Sequence, residues 1–304
     1  MGRKLVIGTR GSGLALWQAE WVQSSLRRGV PGVEVGLKVI RTAGDRDQTT
    51  PLGQLGGRGV FTKEIERALL AGEIDIAVHS LKDLPTDLPE GLALGAVGPR
   101  EDPRDALVAR TASSFEGLPE GAKVGTGSLR RRGMLLHARP DLCMRDLRGN
   151  LDTRLRKLGS EGLDAIVLAV AGLSRMGWTE RITERIPLTV CLPDAGQGAV
   201  GVEVRADDAT TIQTVSTLNH VDTMRCVTAE RALLKALGGG CQVPIGAWGR
   251  VEDGCLKLDA AVASADGRRM IRERGEGAPE GAEALGQSLA ERLLKAGAGE
   301  ILDK

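Results

Sequence analysis

No tyrosine occurs in this sequence, only two phenylalanines, Phe61 and Phe115, and four tryptophans, and its 41 basic and 40 acidic side chains leave a formal charge of +1. A chain with so few rings to stack on bases and no surplus of positive charge lacks the footprint of a nucleic-acid-binding protein. Cysteine is sparse too. Cys143, Cys191, Cys226, Cys241 and Cys255 form an odd, widely spaced set with no CxxC pair, which suits a reducing compartment better than a disulfide framework. His79, His137 and His220 lie too far apart for the short ligand spacings of zinc sites, so no structural metal is expected. The longest apolar run, from Ala165 to Leu173, falls far short of the ~20 residues of a membrane-spanning helix. The start carries neither the apolar stretch nor the small-residue cleavage site of a signal peptide. These absences point to a cytoplasmic protein with no membrane and no nucleic-acid partner.

What is present describes a globular chain. With 304 residues, 41% hydrophobic and 27% charged, it is long enough for two or three domains with real cores. Of the 41 basic residues 31 are Arg, the side chain that grips carboxylate or phosphate through paired hydrogen bonds, although a GC-rich genome also enriches it.

KLVIGT reads as a buried strand and GSGLALWQAEWVQSSLRR as the following helix, entered through Gly11, Ser12 and Gly13. VEVGLKVI gives a second strand. Residues 42–59, TAGDRDQTTPLGQLGGRG, show no periodicity and have the length of a functional or mobile loop; the helix FTKEIERALLAG follows. EIDIAVHS is a strand running into LKDLPTDLPEG, where Pro85 and Pro89 preclude a regular helix. After GPREDPRDA, a charged hinge candidate, the pattern restarts with strand KVGTGS, helix LRRRGMLLHARP, strand MRDLRGN and helix NLDTRLRKLG, capped by Asn150. LDAIVLAVAGLSRMG then reads as a buried strand entering a helix near Ser174. Two rounds of strand, Gly/Ser loop and helix argue for mostly parallel sheets covered by helices, with ligands at the carboxyl ends of strands and between domains. PDAGQGAVGVEVRADD is a Gly-rich turn and strand placed to return the chain to its first domain. From about Val221 a helix, the loop GGCQVPIG, three strands separated by Asp253-Gly254 and Asp266-Gly267 turns, and a final amphipathic helix make a small antiparallel α+β domain.

TRGSG at a helix start offers backbone N–H groups, Ser12 and Arg10 to an anion, or is a plain tight turn. It lacks both the P-loop ending and the dinucleotide spacing. GTGSLRRR repeats the geometry with Arg130, Arg131 and Arg132 in the first helical turn. Cations there oppose the macrodipole by about 0.3–1 kcal/mol each, so the cluster implies a compensating anionic ligand. Arg148 in the RGN turn, Arg154 one turn after Asn150, and Arg175 at the opening of the next helix aim further guanidiniums at the same sheet edge, whereas Arg156 and Lys157 read as solvent-facing. The group predicts a small polyanion. Lys82 and Asp83 sit at a strand exit, where a carboxylate serves as proton donor, acceptor or cation stabiliser, or closes an Asx turn or salt bridge. His79 reads as a satisfied core histidine. Cys241 follows three glycines that leave it little steric cover, so a covalent role and an inert buried thiol both stay open. The other four Cys read as packing residues.

TRGSGLALWQ, GGRGVFTKEIE, DIAVHSLKDLP, REDPRDA, GTGSLRRR, LRGNLDTRL, AVAGLSR, AGQGAVGVE, HVDT and GGCQVPIG, in this order, resemble the porphobilinogen deaminase (hydroxymethylbilane synthase) family from about residue 5 to 250. The resemblance implies an α/β fold with two type II periplasmic-binding-protein-like domains, 1–98 with 195–217 and 99–194, plus a small C-terminal α+β domain, 218–304, with a three-stranded antiparallel sheet. It implies a dipyrromethane cofactor bound covalently through a thioether to Cys241. It also implies a monomeric transferase that adds four porphobilinogen units head to tail, loses ammonia at each addition and releases hydroxymethylbilane. Each pyrrole carries an acetate and a propionate, which would explain the Arg group. By resemblance, Arg10, Ser12, Thr126, Ser128, Arg130, Arg131, Arg148, Arg154 and Arg175 bind cofactor or substrate carboxylates with help from Lys82, and Asp83 stabilises the cation left when ammonia departs. Residues 42–59 become a lid, and Gln18, Arg58, Phe61, Asn150 and Gln197 are placed with substrate or lid; Phe61 packing under its own helix is the alternative. Gly127 stands where many relatives have Ser, and Arg58 where Lys is common. A carboxylate-binding module on the same scaffold is the alternative class, and it would need no Cys241.

Overall fold

Two mixed sheets of the same plan and one smaller antiparallel sheet organise the residues described by the computed structural model, 4–46, 59–239 and 243–302. The chain forms two compact units, Met1–Glu101 with Ala199–Met224, and Asp102–Gly198 with Arg225–Lys304.

The first unit runs β1 (Lys4–Thr9), α1 (Gly13–Gly29), β2 (Glu34–Val39), α2 (Ala43–Arg46), α3 (Lys63–Leu70), β3 (Ile76–Ser80), a 3-10 turn (Leu81–Asp83) and β4 (Leu92–Val97). Leu5 and Ile7, on one face of β1, are fully buried, and Val6 on the other packs against a second apolar cluster, as expected of a parallel strand covered on both faces. Ala19, Val22 and Leu26 recur at helical spacing along α1 and close one side of the sheet; each large side chain so buried contributes about 1.5–3 kcal/mol.

The second unit begins with β5 (Asp105–Ala109), β6 (Lys123–Gly125), α4 (Leu129–Ala138), β7 (Cys143–Arg145), α5 (Leu151–Ser160), β8 (Ala165–Ala169), α6 (Val170–Arg175) and β9 (Glu184–Arg185). Then β10 (Val200–Arg205) and α7 (Ala209–Ser216) belong to the first unit. The sheet orders are β2-β1-β3-β10-β4 and β7-β6-β8-β5-β9. In each, one strand opposes the others: β10 is antiparallel to β3 and β4, and β5 to β8 and β9. The strand after the Gly-rich turn thus pairs in the first sheet, and the repeat visible in the sequence is a repeat of topology.

After α8 (Val221–Ala236) come β11 (Ile245–Glu252), β12 (Cys255–Ala263), β13 (Met270–Gly277), α9 (Ala282–Lys295) and α10 (Ala298–Leu302). The β11–β12 turn places Asp253 and Gly254 at φ +52° and +74°, the left-handed pair of a two-residue hairpin. Among the described residues no helix is long and apolar enough to cross a membrane.

The structure corrects several local readings. Asp105, assigned to a hinge, opens β5, because the apolar run after it is short and flanked by charge. The helix expected near Ser174 starts at Val170; both its strand and its first turn are buried, so periodicity could not separate them. Asn150 occupies the N-cap position of α5 but its side chain makes no capping bond. β4, β9, α7 and α10 were not anticipated.

Close packing of α9 on α8 provides a test. A Cβ on Gly286 would lie 2.2 Å from the Ala229 carbonyl oxygen, whereas one on Gly159 in α5 meets nothing within 4 Å. Gly286→Ala is expected to destabilise by about 1–3 kcal/mol through overpacking. Gly159→Ala should stabilise by about 0.4–1 kcal/mol. Thermal denaturation of the two variants should show opposite shifts.

Candidate active site

In the first unit, β3 ends in Ser80 and passes into the turn bearing Lys82 and Asp83. Leu81 (1% exposed) and Leu84 (3%) bracket the pair and plug into the core, and Leu81 N–H donates to Ala199 O at 3.0 Å. Two buried apolar anchors therefore hold two polar side chains, both half-buried, at a strand's carboxyl end. Gln18, buried on α1, secures the same point: its Nε2 donates to Ser80 Oγ at 2.9 Å and its Oε1 accepts from that hydroxyl at 3.2 Å. Gln18 thus acts on the support of the turn. His79, one residue earlier, is buried against Glu203 of β10, Nε2···Oε2 3.1 Å, the satisfied core histidine expected.

The TRGSG turn enters α1 with Ser12 as N-cap, its Oγ accepting from Ala15 N–H at 3.4 Å. Arg10 is engaged internally. Its Nε and Nη2 donate to Asp45 Oδ1 at 3.1 and 2.5 Å, and its guanidinium lies 4.2 Å from the centre of the Phe61 ring. Asp45 also accepts from the Thr42 backbone and hydroxyl. Burial opposes ionisation of Asp45, but Arg10 and Thr42 outweigh it and hold the carboxyl below the usual carboxylate range. Phe61 packs so tightly on Gly44 that a Cβ there would fall 2.2 Å from the ring.

In the second unit the arginine cluster of α4 meets its anion inside the protein. Asp105 is fully buried; Arg130 Nη1 donates to Oδ2 at 2.6 Å, and Arg131 Nη2 and Nε donate to Oδ1 at 2.7 and 3.0 Å. Arg130 also reaches Leu192 O, and Arg131 reaches Val167 O. Gln197, fully buried, donates to Asp105 and to Pro103 O. Burial alone would raise the Asp105 pKa; the charges of Arg130 and Arg131, with their hydrogen bonds, hold the carboxyl far below its ordinary range. Burial also pushes the neighbouring Cys191 thiol up to about 12, so it is a packing residue. The compensating anion inferred for this cluster is therefore Asp105. Arg132 points outward, toward Asp146.

Around that cluster, Thr126 is buried and its Oγ1 accepts from Ser128 N–H, while Ser128 Oγ caps α4 by accepting from Arg131 N–H. Gly127 has a steric reason here, since a Cβ would lie 2.8 Å from Leu147 O. Arg154 Nε donates to Gly149 O at 2.8 Å. Arg175 ends α6 instead of opening a helix, and its Nη2 donates to Gly198 O at 2.7 Å. Arg148 differs from these: one of its guanidinium nitrogens, Nη1, is buried with no hydrogen-bond partner. Asn150 is half-buried beside it in sequence. Arg156 is exposed and pairs with Asp152 on the helix surface.

Residues 5–213 match the family model for the porphobilinogen deaminase dipyrromethane cofactor binding domain, and residues 224–295 match that for the porphobilinogen deaminase C-terminal domain. The porphobilinogen deaminase of Desulforudis audaxviator is 55% identical over 99% of this chain and 98% of its own length. The chain belongs to the porphobilinogen deaminase family. That of Pelobacter propionicus is 52% identical, with 99% and 97% covered. Among solved structures, the chain is similar to a putative methionine-binding lipoprotein from Bacillus subtilis, with 13% identity, 70% and 88% coverage and a TM-score of 0.43. It is also similar to a nutrient-binding protein from Burkholderia cenocepacia, with 15% identity, 69% and 89% coverage and a TM-score of 0.43.

Within this porphobilinogen deaminase family member, the first unit brings together Gln18, Ser80 and the Lys82–Asp83 turn, and separately Arg10, Asp45 and Phe61. The second unit gathers Arg130, Arg131 and Gln197 on Asp105. Cys241 and Arg58, with most of the expected lid, lie outside the described residues. Sequence reasoning missed Asp105 and Asp45 as internal partners. For Asp105 the available signal was an acidic residue directly before the apolar ALVA of a strand.

Removing the Asp105 charge would strand two buried guanidiniums, so Asp105→Asn is expected to cost about 3–5 kcal/mol. A carboxyl whose folded pKa is depressed stabilises above its unfolded pKa, about 3.9, and loses that contribution as pH falls below it. Stability of the parent measured from pH 6 downward should therefore drop below about pH 4, with a shallower slope in Asp105→Asn.

Proposed function

We propose that the chain polymerises four porphobilinogen molecules head to tail onto a covalent dipyrromethane primer and releases hydroxymethylbilane, as a cytoplasmic monomer with no nucleic-acid partner. The observation that carries the reading is the Lys82–Asp83 turn, an acid and a base fixed by buried leucines at a strand exit in a chain of this family.

The residues present suit a polycarboxylate. Arg148 keeps a buried guanidinium nitrogen without a partner, a group that gains most from an incoming carboxylate because an unpaired buried donor is costly. Ser12 and Ser128 add hydroxyls at two helix starts. In this reading Arg10, Arg148, Arg154 and Arg175, with Thr126, Ser12, Ser128 and Lys82, hold carboxylates, and Arg130 and Arg131 share any ligand carboxylate with Asp105. Gln18, Asn150, Gln197, Phe61 and Arg58 support substrate or lid. Cys241 carries the primer through a thioether. The bound dipyrromethane supplies the terminal ring carbon at which chain growth starts. The three-part division into 1–98 with 195–217, 99–194 and 218–304 belongs to the same proposal.

Asp83 is assigned the chemistry. Departure of ammonia from the porphobilinogen aminomethyl group leaves a cation conjugated to the ring nitrogen, and an ionised carboxylate beside the pyrrole N–H opposes that charge as it develops. The same carboxylate, held in place by Leu81 and Leu84, is placed to accept the proton lost from the ring carbon at each condensation.

Intact-mass and turnover measurements test this. The parent should carry a two-pyrrole adduct, Cys241→Ser should carry none, and Asp83→Ala should keep the adduct while kcat falls about 10²–10³-fold, the loss typical of one charge-stabilising group. An unmodified parent that is folded and active refutes the assignment. A second measurement concerns Arg10. Asp45 already fills its fork in a pair that is 17–18% exposed, so Asp45→Asn should lower the KM for porphobilinogen by about fivefold at most, the value of a pair worth roughly 0.2–1 kcal/mol.

A further inference from the structure

Close to the Lys82–Asp83 turn lies a buried ionisable cluster that the chemistry above does not use. His79 of β3 and Glu203 of β10 are 5% and 0% exposed and hydrogen-bonded. Glu66 of α3, 6% exposed, lies near enough for the charges of both to act on it. Glu66 Oε1 and Glu203 Oε1 are buried without hydrogen-bond partners. The helix packs on β1, β3 and β10, and Ile65, Leu69 and Ala77 belong to the apolar cluster on that side.

Burying ions costs several kcal/mol each, and apolar replacements of buried pairs are often neutral or stabilising. Stability alone therefore gives no reason for two carboxyls and an imidazole at this position, and two ionised carboxylates would repel one another there. Burial pushes the Glu66 carboxyl up from its ordinary range; the Thr62 hydroxyl at the start of the helix pulls it down, the charge of Glu203 adds to the rise, and His79 on β3 and Lys63 on the helix itself oppose it, with burial prevailing. The location supplies a use. His79 precedes Asp83 by four residues, and β10 pairs with β3 from Val200 opposite Ser80 to Val204 opposite Ile76. A shift of α3 or β10 against β3 is thereby a shift of the catalytic turn.

We propose that Glu66, Glu203 and His79 are positioning residues that lock α3, β3 and β10 together, through the buried His79 Nε2···Glu203 Oε2 hydrogen bond and the Glu66 carboxyl buried beside it, so that the Lys82–Asp83 turn is held in register. The inference rests on the assignment of Asp83 to catalysis.

The test uses the holoenzyme. An amide imitates a protonated carboxyl, so Glu66→Gln should retain kcat within about twofold, whereas Glu203→Gln should lower kcat by about tenfold, equivalent to 1.36 kcal/mol of barrier, at unchanged KM and with the dipyrromethane adduct intact. The infrared difference between parent and Glu66→Gln at neutral pH should contain the C=O stretch of a protonated carboxyl. Equal kinetic damage from both variants, a Glu203→Gln loss confined to KM, or absence of that band overturns the network. If Glu203→Gln does not fold, the band and the Glu66→Gln kinetics decide by the same criteria. A parent that makes no hydroxymethylbilane would instead sink the catalytic assignment on which the inference stands, and the positioning role with it.

Discussion

A carboxylate with no exposed surface, gripped by two guanidiniums that are almost as deeply buried, is the constraint on which the second unit depends. Asp105 joins β5 to the first turn of α4, and through Gln197 to the loop that leads into β10. Such an arrangement is held by mutual need. Each partner has left water, where solvation was worth several kcal/mol, and none can be removed without leaving the others uncompensated. The start of α4, with Thr126 and Ser128 before it, is consequently fixed before any ligand arrives, and preorganised donors cost little to align when one does.

The first unit solves the matching problem with apolar anchors. Leu81 and Leu84, both buried, fix the position of the Lys82–Asp83 turn, and Gln18 ties the preceding Ser80 to α1. Charge pairing thus orients the donors of the second unit, and the packing of Leu81 and Leu84 places the turn of the first.

Much of this was legible in the sequence because the signals were local. Strand KLVIGT, the Ser12 and Ser128 helix starts, the Pro-limited turn after β3 and the Asp253-Gly254 hairpin each follow from a few neighbouring residues. The family resemblance then rested on motifs in a fixed order. What stayed hidden depends on distant pairing. Nothing near Arg130 in the chain shows that Asp105, twenty-five residues earlier, is its anion, so the helix dipole argument detected the need for a negative charge correctly and assigned it to a ligand. Arg175 was misplaced because a buried strand running into a buried helix offers no change of periodicity. For Gln197, expected with substrate or lid, nothing local shows that its amide also donates to Asp105.

Internal carboxylates thus stand in two places where a polycarboxylate ligand is expected, and their exposure separates their roles. The Arg130–Asp105 pair is 1% and 0% exposed, the Arg10–Asp45 pair 17% and 18%. Exchanging Asp105 for a ligand carboxylate would leave the buried Asp105 charge without its partners, a penalty of several kcal/mol that no single new contact offsets. Asp45 sits in the short helix α2, and its partly exposed pair loses little when opened to solvent. In the proposed function a ligand carboxylate thus replaces Asp45 at Arg10 but only joins Asp105 at Arg130 and Arg131. In the proposed function Arg10 is therefore the exchangeable contact, and Phe61, which packs on both its guanidinium and Gly44, ties that exchange to the start of α2.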